Sequence, residues 1–395
     1  MFPSITTAAP AIFSDSDFAP ETTMQLSFRD PTGVCHLVVL AKRTYALERG
    51  RCVLAKEQLP LRDELVFDAD ELLHDSDTIP MKAKTDVVIQ GHAYGQGRSQ
   101  FEAVVTLQGK VAKRILVLGD RECITDAAGR IYIAPPLPAD KVPLRYTHAY
   151  GGSEARTLDG VPEDRAANIR NLATALEVPP EQLILSSYPR NPAGRGWLLQ
   201  ATHEAVGKLR LPNLEDPLDR LTPERLAVGD EREWPKMPLP QSTGWMNYDC
   251  FPRRAYVGFA ITGKLTTKSI AEVERGYYPE NLLDSNKTMA DMQLVAQGAS
   301  PGLQFPHFRG GETIALDNMH PKQSRYAIQL PSERPKMWVD GRKGTLKETE
   351  PVIHTVVVEP DLDRVTILWR GAAPALRPYM AHELEKMPFK VEWPS

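Results

Sequence analysis

The chain has 395 residues, 42% of them hydrophobic and 25% charged, with a formal net charge of −4 at pH 7. That is enough to bury a large core, and it excludes a global positive field for nucleic acid or anionic lipid. The 34 prolines favour turns and edge strands over long helices.

The chain opens on MFPSITTAAPAIF, where no basic segment precedes an apolar one, so no signal peptide is expected. No uncharged apolar run approaches the ~18 residues of a membrane span. Cys35, Cys52, Cys123 and Cys250 are far apart with no C-x-x-C spacing. This favours free thiols in a reducing cytoplasm over a disulfide framework or a zinc site.

Leu37 to Tyr45 reads as an early strand. Cys52 to Leu54 is expected to return beside it across Glu48, Arg49 and Gly50. Asp68, Asp70, Glu71, Asp75 and Asp77 then form an acidic patch without the spacing or glycine of a calcium loop. It is expected to be a solvated linker facing Lys82 and Lys84.

From Lys82 to Arg121 the pattern predicts three consecutive strands: Asp86–Tyr94, Gln100–Leu107 and Lys113–Leu118. Turns at Gly95–Arg98 and Gln108–Lys110 separate them, which makes an antiparallel meander. Period two puts Lys82, Lys84, Asp86 and Gln90 on one face and Thr85, Val87 and Ile89 on the other. Gly91, Gly95 and Gly97 mimic a phosphate loop, but a strand follows them where that loop needs a helix.

Ile131–Ile133 is a short strand, and Leu144–Gly152 a strand ending in a double-glycine turn. Between Pro162 and Leu183, Ala166, Ile169, Leu172, Ala175 and Leu176 recur at near-helical spacing, and Pro179 and Pro180 end the run. Residues 188–217 are rich in turns. Trp234–Pro240 reads as a linker or lid, and Tyr277–Ala299 as short helices. Thr313–Leu316 and Tyr326–Leu330 are strands. Val352–Val358 and Arg364–Arg370 form a hairpin, with Val365, Ile367 and Trp369 on one face. The expected fold is mainly β, with antiparallel meanders in a sandwich-like scaffold and minor helical insertions. Its parts are residues 1–155, a helical insertion and connector over 156–235, and residues 236–395; one continuous domain is the alternative.

Asp86, His148, Glu215, Glu312 and His354, with both histidines placed on predicted strands, could supply an acid, a base and an orienting group. No G-x-S-x-G elbow or metal-binding histidine spacing accompanies them. Trp197, Trp234 and Trp245, close in sequence to Tyr248 and Phe251, are either core lids or exposed anchors for a partner.

An ordered set of short motifs resembles the DUF2169 family. Lys82, Asp86 and Gly91 fit K-x-x-x-D-V-x-x-x-G-x-A, and Gly151 and Gly152 fit A-[F/Y]-G-G. Asn191, Pro192, Gly194 and Gly196 fit N-P-x-G-x-G, and Asn213 and Glu215 fit L-P-N-x-E. Gly311 and Glu312 are similar to a late G-G-E strand. Pro360, Asp361, Arg364, Trp369 and Arg370 fit the closing P-D-x-x-R-V-x-x-x-W-R. The matches span roughly residues 37–372. The family's pattern has an acidic residue where His354 stands.

The resemblance implies a cytoplasmic bacterial adaptor or chaperone with no cofactor. Its partner would be a type VI secretion effector, with the spike protein (VgrG) or a PAAR-type tip as a further contact. Trp197, Trp245 and Tyr248 are the candidate partner-binding residues, and no membrane or nucleic acid is involved. The alternative is a hydrolase-like enzyme with its active site in a β-rich cleft.

Overall fold

The run Cys35–Glu48 alternates side chains that suit two opposed apolar layers, and it forms the longest strand of the computed structural model among the described residues. The structure describes residues 6–8, 22–29, 34–69, 71–79, 81–155, 163–175, 177, 179–180, 185–199, 202–226, 236–247, 250, 253 and 297–394. Thirteen strands of these join in one large mixed sheet. In chain order they are β1 (Thr6–Ala8), β2 (Thr23–Arg29), β3 (Cys35–Glu48), β4 (Arg51–Leu54), β5 (Thr85–Ile89), β6 (Gln100–Leu107) and β7 (Lys110–Leu118). Then follow β8 (Leu214–Glu215), β9 (Gln304–Phe305), β10 (Thr313–Asp317), β11 (Arg325–Gln329), β12 (Val352–Glu359) and β13 (Arg364–Ala375). The spatial order is β8-β7-β6-β10-β11-β4-β3-β13-β12-β5-β9, with β2 also on β3 and β1 on β2. Strands from residues 1–155 and 236–395 therefore alternate within a single sheet.

The fold is mainly β, as expected. The hairpins read from local turn chemistry are present. β3 and β4 pair from Tyr45 against Leu54 to Glu48 against Arg51. β6 and β7 close over Gln108 and Gly109, both at positive φ (48° and 78°), the backbone that a two-residue hairpin turn requires. β12 and β13 pair from Val352 against Arg370 to Glu359 against Arg364. Period two holds along β13: Val365, Ile367 and Trp369 enter the main core, whereas Leu368 packs with Leu26, Phe28, Val38 and Leu40 on the other side.

The expected meander is only half present. Its first strand breaks at Gly91 into β5 and a separate strand, His92–Arg98. β5 pairs parallel with β12 and antiparallel with β9, not with its sequence neighbour. His92–Arg98 instead pairs with Ala139–Pro143 in a sheet of its own. All five residues of β5 are buried, as befits a strand covered on both faces, so the charges expected on one face, Lys82 and Asp86, lie inside the fold as a buried pair and not on an exposed surface. Gly91 gives the break a close approach: a Cβ there would press on the Asp361 carboxylate at 3.2 Å, which would have to shift.

Other expectations are also corrected. Leu144–Gly152 is not one strand but a 3-10 turn, Tyr146–His148, followed by the short strand Tyr150–Gly151. The helix spans Glu163–Ala175 and ends before Pro179, with Glu177 at φ 55°. Its buried positions are Ala166 and Ala173, and Leu172 is 52% exposed. The small-residue side of this helix is thus the buried one. Residues 236–240 are packed rather than free: Met237 joins a second core with Tyr150, Tyr188, Trp197, Leu211, Leu221 and Leu226. Asp70, Leu176, Trp234, Phe251 and the expected short helices over 277–296 lie outside the described residues.

Val87 is 1% exposed at the centre of β5. Val87→Asp would bury a carboxylate among hydrocarbon, so it should destabilise the protein by more than about 4 kcal/mol. The measurement is the urea midpoint of purified protein, or its absence from the soluble fraction.

Candidate functional site

β5 ends beside the β12–β13 turn, and the segment from Leu59 to His74 folds across both. Between them lies a cleft of about 530 Å³, within the range of ligand pockets, ~300–1,000 Å³. Leu72, Ile89, Leu144, Trp245 and Val357 give it an apolar floor, and Arg62, Arg145, His92, Glu359, Asp361 and Arg364 stand around it.

Most of its charges are already paired. Asp361 accepts from Tyr94 Oη at 2.9 Å and lies 2.6 Å from His92 Nδ1. Burial works to raise the Asp361 pKa, but these two contacts hold it below the usual carboxylate range. Burial and the same carboxylate push Tyr94 up to about 12. Arg364 grips Glu359 with two bonds of 2.6 and 2.7 Å. His74 is held below its ordinary pKa, first by burial, and so stays neutral. Glu71 is shifted upward by burial although Arg145 stands 3.2 Å away.

Of the acidic patch, Asp68 is exposed as a solvated linker would be, but Glu71, Asp75 and Asp77 are buried. Asp77 pairs with Lys42 at 2.7 Å and Asp75 with Arg253 at 2.8 Å, both buried, and Glu71 with Arg145. Cations from distant segments offset the cost of burying these carboxylates. Lys82 does not face the patch.

Lys82 instead binds Asp86 at 2.7 Å, with the two side chains 1% and 0% exposed. Lys82 Nζ also donates to Thr355 Oγ1 at 3.2 Å. The Asp86 oxygens accept from Gln297 Nε2 and the Gly298 amide, each at 2.7 Å. His354 Nδ1 lies 3.1 Å from Thr355 Oγ1. Burial first, then Lys82, keeps His354 well below its ordinary pKa. One buried network thus stitches β5, β12 and the 297–298 segment together.

A second knot holds His148 and Glu215. Asn191 Nδ2 donates to the carbonyls of Tyr146 and Tyr150 at 2.8 and 3.1 Å. Gly151 lies so close to the Asn191 carbonyl that a Cβ would collide with it, and its φ is 149°. Ser153 Oγ donates to the Pro192 carbonyl. Arg195 bonds Thr147 O and Asn213 Oδ1, while Asn213 Nδ2 bonds Leu118 O and Asp120 Oδ1. Glu215 pairs with Arg121 and, at 3.4 Å, with Arg220. His148 sits on the 3-10 turn, not on a strand. Burial, then the Arg195 and Arg145 guanidinium groups, push its pKa down to about 4.

The remaining motif residues are apart from both networks. Glu312 accepts from the Arg309 and Gly310 amides at 2.8 and 3.0 Å, which closes the turn around Gly310 and Gly311. Trp369 is in the main core, and burial pushes Arg370 down to about 10. The structure brings Asp86 near His354 and His148 near Glu215, and does not assemble the four in one pocket. Trp197 and Trp245 are 4% and 5% exposed, which fits core lids and corrects the expectation of exposed anchors: each fills a core that its large ring helps to build. Tyr248 lies outside the described residues.

Sequence reasoning did not single out Arg62, His74, His92 or Arg145, because the cleft draws them from separate segments with no shared spacing. The Asp361 motif was the one local signal. All four cysteines are free thiols in the structure. Among the described residues no cluster of His, Cys, Asp and Glu could hold a metal ion, and no helix is long and apolar enough to cross a membrane.

Two outcomes check these networks. Asp86→Ala strands a buried ammonium and should cost about 3–5 kcal/mol, whereas Lys82→Met with Asp86→Leu should cost well under the sum of the single changes. Urea titration of the four proteins measures that coupling. His148 protonates less readily folded than unfolded. Its contribution is therefore intact above its ordinary value of 6.5 and is withdrawn as pH falls from there toward about 4. His148→Gln should flatten the decline of melting temperature over that interval; equal slopes would contradict the assignment.

No curated protein and no solved structure matches the chain. A family model does, described as an uncharacterized protein conserved in bacteria, and it matches residues 32–370. The sheet, both polar networks and the cleft fall largely within that span, and the chain belongs to the DUF2169 family.

Proposed function

We propose that the chain is a cytoplasmic adaptor or chaperone that binds a type VI secretion effector and promotes its loading on the secretion spike. The observation that carries this reading is the way the polar residues are spent. Asp86, Glu215 and the neighbouring motif side chains are locked in two separate buried networks that hold segments together. A hydrolase would need a base, its orienter and an electrostatic group convergent on one accessible atom. A binding protein needs a rigid framework that presents a fixed surface, and hydrogen-bonded buried networks supply that rigidity. Family membership and the resemblance described above support the type VI context.

A loading factor holds its client reversibly, so a dissociation constant between micromolar and nanomolar is expected, roughly −8 to −12 kcal/mol. The test is co-purification with a candidate type VI toxin from the same genome, then secretion of that toxin from a strain lacking this chain. The toxin should vanish from the secreted fraction while the spike protein still leaves the cell. Normal toxin export with no detectable complex would overturn the reading.

A further inference from the structure

This fold matches its buried cations with carboxylates. Lys42 meets Asp77 at 2.7 Å, Lys82 meets Asp86 at 2.7 Å, Arg253 meets Asp75 at 2.8 Å, and Arg121 meets Glu215. Lys113 is buried with only the Ser300 hydroxyl and the Pro301 carbonyl as acceptors. It has another way out, since burial pushes its pKa down to about 7 and it can shed its proton.

Arg370 has neither remedy. It is 8% exposed, and no carboxylate, carbonyl or hydroxyl among the described residues accepts from its guanidinium. Nε and Nη1 are closed to solvent without a hydrogen bond, which leaves Nη2 as the open edge. Period two sets the side chain between Leu368 and Ala372 on one face of β13, with Leu40 of β3 and Val352 of β12 directly across. Leu40, Leu368 and Ala372 belong to one apolar cluster. The titratable neighbours are His307 and His354. Burial first, then cations, hold both below their ordinary pKa: Arg370 and Arg309 act on His307, and Lys82 and Arg370 on His354. The carboxylates of that company are engaged, Asp86 by Lys82 and Glu350 by Arg309 at 2.6 Å. An arginine pushed down to about 10 is still charged at pH 7, and a charge in such a place is costly until an opposite one meets it.

We infer that the Nη2 edge of Arg370 is a binding site for a small oxyanion, a phosphate or a carboxylate, which supplies the counter-charge that the chain does not. A guanidinium N–H donates to either oxyanion in a short, charge-assisted bond. The half-buried His307 stands beside the site, and it belongs to the segment that joins β12 through the bridge of Phe308 to Ile353. The anion would thus tie that segment to β13. This inference does not depend on the adaptor reading.

The test is equilibrium dialysis of the full-length chain against labelled inorganic phosphate, and separately against labelled acetate, in chloride buffer of fixed ionic strength. One anion should bind per chain, and the label that binds identifies its class. Its melting temperature should rise by about 2–5 °C at a hundredfold excess over Kd. Arg370→Met should abolish the saturable binding and the rise. In chloride alone this variant should melt no lower than the wild-type chain, because it discards an uncompensated charge; an arginine with a merely structural role would give a lower value. Arg370→Lys keeps the charge without the planar fork and should bind about tenfold or more weakly, which decides the matter if the methionine variant does not fold. Arg325→Gln, at an exposed arginine of β11, should bind as the wild-type chain does. No saturable binding of either anion, undiminished binding by Arg370→Met or Arg370→Lys, or an equal loss in Arg325→Gln would overturn the inference.

Discussion

The ion pair between Lys82 and Asp86 is the contact on which the centre of this protein depends. Neither partner can be tolerated alone when both side chains are almost wholly buried, and the pair is further hydrogen-bonded by Thr355, Gln297 and the Gly298 amide. Those partners come from two other parts of the chain. The pair can therefore be satisfied only when β5 has docked on β12 and the 297–298 segment has closed over both. Hydrophobic residues of equal volume would hold the elements together as well or better. They would not demand this one register of β5 against β12, since a one-residue slip leaves an apolar strand with equally apolar faces.

Where a feature depended on residues near one another in sequence, it was legible. The hairpins at Arg49–Gly50, Gln108–Gly109 and Glu359–Asp363 follow from turn chemistry alone, and so does the alternation of Val365, Ile367 and Trp369. What was not legible depends on meetings across the chain. β5 looked like the first arm of a meander because a strand and a glycine turn followed it, but its neighbours are β12 and β9. Asp75 and Asp77 looked solvated because nothing close in sequence shows Arg253 or Lys42 beside them. The size of Trp197 and Trp245 marks them as energetically important and does not say whether they face inward.

The candidate site shows the same division. The motif residues quoted from the sequence are mostly knots: Asn191 and Asn213 tie loops to carbonyls, and Glu312 closes a turn. The cleft beside them is built mostly from residues that carry no motif, apart from Gly91, Arg364 and the Asp361 carboxylate. That carboxylate belongs to both classes, fixing the β12–β13 turn through His92 and Tyr94 while forming one rim of the cleft. The framework that the family pattern describes is thus part of what gives the cleft its shape.

The ladder between β3 and β13 runs unbroken from Arg364 against Ala46 to Ala375 against Cys35. On a ribosome, β3 leaves the exit tunnel more than three hundred residues before its partner is made, an interval of tens of seconds at ~5–20 residues per second. Through that time one long edge of an apolar strand has β2 and β4 on one side and no native partner on the other, which is the configuration most open to wrong pairing. The nascent chain therefore has a long dependence on whatever shields it in the cell, and its native state is reached late, after synthesis of nearly the whole polypeptide.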